Sequence, residues 1–141
     1  MKIKDVLRGK GNQVVTISPE ATVTELLALL AEHNIGAVVV SADGSSVDGI
    51  VSERDIVRLW NGTPEAGEVR VSAIMTAEVR TATPDDLIDN LMRLMTEHRI
   101  RHVPVVVDGA LSGLVSIGDV VKSRIGELEF EREQLSNYIS S

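Results

Sequence analysis

The stretch Gly113-Leu-Val-Ser-Ile-Gly-Asp119 occurs a second time in the chain, in altered form, as Gly49-Ile-Val-Ser-Glu-Arg-Asp55. Each copy begins with small and apolar residues, which predict the end of a buried strand. Each then places a serine and, three residues later, an aspartate, a pattern typical of a helix N-terminus. The chain of 141 residues therefore contains a duplicated strand-to-helix turn.

The duplication extends well beyond this turn. Pro19 and Pro84 are 65 residues apart, as are His33 and His98, whereas the serines and aspartates of the two turns are 64 residues apart. A near-constant offset over a whole unit indicates an internal repeat. The change from 65 to 64 places a one-residue deletion in the hairpin turn of the second unit.

Both units predict the order strand, helix, strand, strand, helix, and a short helix is expected before each, at residues 3–8 and 71–76. Strands are expected at residues 14–17, 37–40, 47–52, 79–81, 102–107 and 111–116. Thr22 and Glu25 fit a capping box for the first long helix. The buried face of that helix is expected to contain Val23, Leu26, Leu27 and Leu30.

A mixed α/β fold of the α+β type follows from this order of elements. Neither unit is large enough to cover both faces of its small sheet, so the two are expected to pack against each other. The second unit continues into a longer helix with an apolar seam at Val121, Ile125, Leu128, Leu135 and Ile139, which Arg132 interrupts. Two interpretations stay open for this helix: a solvated acidic face packed on its own domain, or packing against a second subunit.

Composition excludes several functions. A net charge of −7 argues against binding to a nucleic-acid backbone, and the absence of cysteine excludes disulfides and thiolate metal sites. The sequence has no apolar run long enough to span a membrane and no secretory signal, so a cytoplasmic location is expected. No catalytic triad, phosphate-binding loop or metal motif is apparent, and we expect neither enzymatic activity nor a metal site.

The repeated motifs resemble a tandem pair of CBS domains, also called a Bateman module, of the stand-alone bacterial type. The resemblance rests on the two turns and on Val15-Thr-Ile-Ser-Pro19, Val79-Arg-Thr-Ala-Thr-Pro84 and His98-Arg-Ile-Arg-His-Val-Pro-Val105. It implies two β-α-β-β-α repeats related by a pseudo-twofold axis. We expect repeat one at residues 8–63, repeat two at residues 72–126 and a helical extension at residues 127–141.

The resemblance also implies a function. Such pairs commonly form flat homodimers, and clefts between the repeats bind adenosyl nucleotides. We expect AMP, ADP, ATP or NAD(H) as a regulatory ligand, no required cofactor, and a conformational signal to an unidentified protein partner. The alternative is a dimeric interaction scaffold with vestigial clefts, acting through the acidic C-terminal helix.

The turns supply the first candidate site residues. The carboxylates of Asp119 and Asp55 suit the two hydroxyls of a ribose, and Ser116 and Ser52 with the helix starts suit phosphate oxygens. The same residues are equally suited to plain helix caps. Arg58 and Lys122 follow the aspartates by three residues, where either could form a weak surface ion pair or neutralise a phosphate.

The remaining candidates lie on the predicted strands. The family positions suggest phosphate contacts from Arg101 and His102, nucleotide contacts from Thr16 and Thr81, and an adenine slot lined by Val38, Val103 and Pro104. Repeat one has Gly36 and Ala37 where repeat two has Arg101 and His102. We therefore expect unequal clefts, with the better equipped one beside the turn that ends at Asp119.

Overall fold

The computed structural model describes residues 1–10 and 14–140. In chain order its elements are α1 (Ile3–Lys10), β1 (Thr16–Ile17), α2 (Val23–His33), β2 (Ala37–Val40), β3 (Gly49–Ser52), α3 (Glu53–Trp60), a 3-10 turn (Ala66–Glu68), α4 (Val71–Ile74), α5 (Ile88–His98), β4 (His102–Val107), β5 (Ala110–Ser116) and α6 (Ile117–Ser140). The mixed α+β fold with two repeated units and a long C-terminal helix is confirmed. Helix α1 extends to Lys10, two residues beyond the expected range of 3–8.

The first unit builds a sheet in the order β1-β2-β3, with β1 parallel and β3 antiparallel to β2. All four residues of β2 are buried, as expected for a central strand covered on both faces. In the second unit β4 and β5 form an antiparallel pair. Their hairpin turn has Asp108 and Gly109 at φ values of 51° and 81°, as an Asp-Gly turn favours.

The strand expected at residues 79–81 is wrong, and the cause is a proline in the neighbouring strand. The first strand of unit two is reduced to one parallel bridge between Ala82 and Val105. Extending that ladder to Arg80 would require the backbone N–H of Pro104, which proline lacks. Unit one has Val39 at the matching position of β2, where it pairs with Thr16 of β1.

Helix α2 begins as expected and buries a narrower face than expected. The Thr22 side chain accepts a hydrogen bond from the backbone N–H of Glu25 at 3.2 Å, which confirms the cap. Val23, Leu26 and Leu30 are buried, whereas Leu27 is 40% exposed, so its expected burial is wrong. The buried face of α2 is therefore a narrow stripe formed by Val23, Leu26 and Leu30.

The two units exchange their short helices. The backbone N–H of Ile3 in α1 donates to Asp86 in unit two at 2.9 Å, and that of Val71 in α4 donates to Ala21 in unit one at 2.8 Å. Ala21 and Asp86 are 65 residues apart, so the two contacts correspond under the repeat. Each unit is therefore completed by the helix that begins the other.

The exchanged helices close the two hydrophobic cores. Ile3 and Val6 of α1 are buried with α5, β4 and β5, and Val71 of α4 is buried with β1, β2, β3 and α2. Ile3 and Val71 each have 0% exposed surface. Burying one such side chain contributes roughly 1.5–3 kcal/mol, so each unit gains stability from its borrowed helix. No helix among the described residues is both long and apolar enough to cross a membrane.

Two matched glycines test the packing of the exchanged helices. A Cβ on Gly49 would lie 2.6 Å from Met75 Sδ and 2.9 Å from the backbone oxygen of Thr76, whereas the three atoms nearest to a Cβ on Gly113 all belong to the Leu7 side chain, the closest at 2.8 Å. A side-chain end can move, but a paired backbone carbonyl cannot. We expect Gly49→Ala to lower the free energy of unfolding by roughly 1–3 kcal/mol and Gly113→Ala by clearly less. Urea unfolding measures both; equal losses would contradict this packing.

Candidate functional site

A cleft of about 410 Å³ opens between the two units, beside the second copy of the strand-to-helix turn. Its walls come from the end of α1, from the residues just before β1, from the segment that leads from α2 into β2, and from β4, β5 and the start of α6. The lining residues are Leu7, Lys10, Val14, Val15, Asn34, Ile35, Gly36, Ala37, His102, Gly113, Leu114, Ser116 and Asp119. Most of these residues are apolar or uncharged.

Three of the residues predicted from the sequence line this cleft: Ser116, His102 and Asp119. The other predicted residues lie outside its lining: Thr16, Val38, Ser52, Asp55, Arg58, Thr81, Arg101, Val103, Pro104 and Lys122. Val38 and Val103 have 0% exposed surface and belong to the two cores, so neither their side chains nor their backbones are exposed to a ligand. Arg58, Thr81, Arg101 and Lys122 are exposed. The ligand-binding role of all these residues stays a prediction.

The wall that faces Asp119 comes from unit one. It consists of Asn34 to Ala37, the segment that matches residues 99–102 of unit two, and Arg101 does not line the cleft. Our expectation that the cleft beside Asp119 is the better equipped one stays a prediction. The cleft lies between the units, so the second turn shares it with the corresponding segment of the first unit as well as with His102 of its own unit.

The turn itself has the geometry of a reciprocal helix cap. Asp119 Oδ2 accepts a hydrogen bond from the backbone N–H of Ser116 at 2.9 Å, and the N–H of Asp119 donates to Ser116 Oγ at 3.1 Å. In the first copy, Asp55 Oδ2 accepts from the N–H of Ser52 at 2.8 Å and from its hydroxyl at 3.2 Å. Both copies therefore serve as caps, and this structural role is compatible with a ligand at the same carboxylate.

Lys10 is a site residue that the sequence did not indicate. Its ammonium group lies 2.7 Å from Asp119 Oδ2 and donates to the carbonyl of Leu114 at 2.8 Å. Lys10 and Asp119 are 109 residues apart in the sequence, and only the exchange of α1 onto unit two brings them together. No local motif could have revealed this contact.

The first residues of α3 and α6 each donate a backbone hydrogen bond to the residue just before β2 or β4. The N–H of Ile117, the first residue of α6, donates to the carbonyl of Arg101 at 2.8 Å, and the N–H of Glu53, the first residue of α3, donates to Gly36 at 3.0 Å. Such N–H groups are the donors that an anion would use at a helix N-terminus. Here part of that capacity is already satisfied by the protein.

Lys10 also influences the two titratable groups of the cleft. Burial alone raises the pKa of Asp119, but the hydrogen bonds from Lys10 and Ser116 outweigh it and hold that pKa below its ordinary value. Burial lowers the pKa of His102, the charges of Lys10 and Arg101 lower it further, and the charge of Asp119 opposes them. His102 therefore favours its neutral form, which can both donate and accept a hydrogen bond.

Comparison with known proteins assigns the family. A family model described as the CBS domain matches residues 3–62 and again residues 71–126. The chain belongs to the CBS-domain family. The expected tandem arrangement of two CBS repeats is confirmed, whereas the repeat boundaries that we expected from the sequence stay predictions.

Similar proteins cover nearly the whole chain. The mitochondrial CBS domain-containing protein CBSX3 of Arabidopsis thaliana is 36% identical over 147 residues, covering 97% of this chain and 71% of the relative. YhcV of Bacillus subtilis (strain 168) is 31% identical over 123 residues, covering 87% and 85%. The crystal structure of ATU1752 from Agrobacterium tumefaciens has a TM-score of 0.82 and 45% identity, covering 88% of this chain and 99% of that chain.

A further similar structure contains ligands. The CBS domain pair of MJ0100 was crystallised in complex with 5′-methylthioadenosine and S-adenosyl-L-methionine. It has a TM-score of 0.79 and 26% identity, covering 90% of this chain and 98% of that chain. At least one CBS pair of this fold therefore binds adenosyl compounds.

The lowered pKa of His102 predicts a pH dependence of stability. The unfolded chain takes up a proton near the ordinary value of 6.5, before the folded chain does, so the free energy of unfolding should fall as the pH drops below 6.5. We expect His102→Gln to flatten this dependence between about pH 5 and pH 7, since Asp119 titrates below 3.8 and stays outside this window. Urea unfolding at several pH values checks this. Identical slopes for both proteins would contradict it.

Proposed function

We propose that this CBS pair is a regulatory module that binds an adenosyl ligand in the cleft between its two units. The observation that carries the proposal is the position of Asp119 at the lining of a cleft of ligand size. The hydrogen bonds that its carboxylate accepts within the described residues end on Oδ2. Oδ1 can therefore accept a ribose hydroxyl without breaking the cap.

The other cleft residues suit the rest of such a ligand. Leu7, Val15, Ile35 and Leu114 offer apolar surface to an adenine ring. The neutral side chain of His102 can form a hydrogen bond with the polar edge of the adenine ring or with a ribose oxygen. The complex of MJ0100 with two adenosyl compounds supports this class of ligand, and the AMP, ADP, ATP and NAD(H) expected from the sequence belong to the same class.

The position of the cleft suggests how binding could be transmitted. One wall belongs to unit one and the other to unit two, so a ligand that contacts both favours one arrangement of the units over another. A ligand shifts such an equilibrium only by its difference in affinity for the two arrangements. A protein partner that reads the arrangement would then respond to the ligand. The proposal assigns no reaction to the chain.

Exposed apolar residues on α6 favour a second candidate function, self-association through the C-terminal helix. Val121, Ile125, Leu128, Leu135 and Ile139 follow the apolar seam expected from the sequence, and their exposed fractions run from 45% to 82%. A second copy of this helix would cover the seam, because identical apolar stripes are complementary in a two-stranded coiled coil. The homodimer expected from the sequence would then use this helix.

Asp119→Ala tests the ligand site, with Asp55→Ala as the matched control. Both substitutions remove a helix-capping carboxylate, which costs roughly 1 kcal/mol of stability. Only Asp119 lines the described cleft, so we expect Asp119→Ala to weaken 5′-methylthioadenosine binding at this site at least about tenfold. Isothermal titration calorimetry measures both. Equal weakening by the two variants, or no binding to the wild-type protein below about 1 mM, would contradict the proposal.

Deletion of residues 127–141 tests the second candidate. This change removes the outer part of the apolar seam but none of the cleft residues. We expect it to convert a dimer into a monomer in sedimentation velocity runs while leaving the affinity for 5′-methylthioadenosine within about twofold. A truncated protein that stays dimeric would show that α6 is not the interface.

A further inference from the structure

We infer that the cleft beside Asp119 selects adenosyl ligands whose 5′ substituent is neutral or cationic, and discriminates against nucleoside di- and triphosphates. This inference rests on the proposed function and narrows its ligand class.

The lining of the cleft contains one ammonium group and one carboxylate, and they neutralise each other. Lys10 Nζ lies 2.7 Å from Asp119 Oδ2, and the side chains are 40% and 22% exposed, so this pair is partly shielded from solvent. Residues 11–13, which the structure does not describe, are Gly, Asn and Gln and carry no charge. A phosphate that entered the cleft would therefore find no unpaired cation in its lining.

The facing wall adds negative charge. Gly36 lines the cleft, and a Cβ placed on it would lie 3.7 Å from Oε2 of Glu53. Glu53 is exposed and does not itself line the cleft, but its carboxylate lies beside Gly36, the residue that matches Arg101 in unit two. A phosphate group near Glu53 is repelled rather than attracted.

The N-terminus of α6 offers few free N–H groups that could stabilise a phosphate. Two of its first three N–H groups are already used, that of Ile117 by the carbonyl of Arg101 and that of Asp119 by Ser116 Oγ. Arg8 and Arg101 each adjoin a cleft residue in sequence, and Lys122 is three residues from Asp119; all three are exposed, and none lines the cleft. A polyphosphate could gain charge neutralisation only by recruiting a cation from outside the lining.

Calorimetry with 5′-methylthioadenosine, AMP and ATP tests the selection directly. We expect 5′-methylthioadenosine to bind at least about tenfold more tightly than ATP, with AMP between them. Raising NaCl from about 50 mM to about 300 mM should strengthen ATP binding by screening repulsion, and leave 5′-methylthioadenosine binding unchanged.

The outcomes separate the inference from the proposed function. Tighter binding of ATP than of 5′-methylthioadenosine, or ATP binding that weakens as salt rises, would overturn the inference and leave the adenosyl-sensor proposal intact. Failure of all three ligands to bind would overturn both.

Two charge reversals and one deletion of a cation complete the test. Glu53→Lys should tighten ATP binding about tenfold while 5′-methylthioadenosine stays within about twofold. Glu133→Lys is the matched control, because it makes the same charge change about 21 Å along α6 from Asp119. Arg101→Ala should leave the preference for 5′-methylthioadenosine unchanged. Equal gains from both lysine variants, or an ATP affinity that depends on Arg101, would overturn the inference.

Discussion

The structure depends on one constraint: neither repeat can close its hydrophobic core with its own elements. Each small sheet has one face covered by the long helix of its unit, and the remaining apolar surface is covered by a short helix from the other unit. Ile3 and Val71 fill these positions with no exposed surface. The exchange joins the units into one folded structure and determines which residues meet in the cleft between them.

The exchange also creates the site. Helix α1 crosses to unit two to complete its core, and its last described residue, Lys10, reaches Asp119. The carboxylate therefore has two contacts of different origin: it caps α6, and it pairs with Lys10. The helix start holds this carboxylate in a fixed position at the lining of the cleft.

Much of this could be predicted from sequence, because the repeat is a local and regular signal. The duplicated turns, the Thr22 cap and the long C-terminal helix all follow from patterns within one unit. Ser116 and Asp119 were selected from the repeated turn and His102 from its family position, and all three line the cleft. Lys10 was missed because its partner is 109 residues away, and no periodicity connects the two.

Two differences from expectation have specific physical causes. The strand expected at residues 79–81 fails because Pro104 removes the N–H that would have extended the ladder beyond Ala82. Arg101 lies outside the lining of the cleft beside Asp119, because a cleft between two units takes one wall from the other repeat, and the ligand-binding role of Arg101 stays a prediction. Pairwise matching of repeats identifies equivalent residues; it does not tell which of them face each other.

The central claim is that Asp119 holds a ligand in the cleft between the two units. A crystal structure of the protein grown with 5′-methylthioadenosine tests it most directly. We expect density between residues 34–37 and 113–119, with a ribose hydroxyl within hydrogen-bond distance of Asp119 Oδ1 and Lys10 still paired with Oδ2. Ligand density at another position, with this cleft empty at saturating ligand, would show that Asp119 does not hold the ligand.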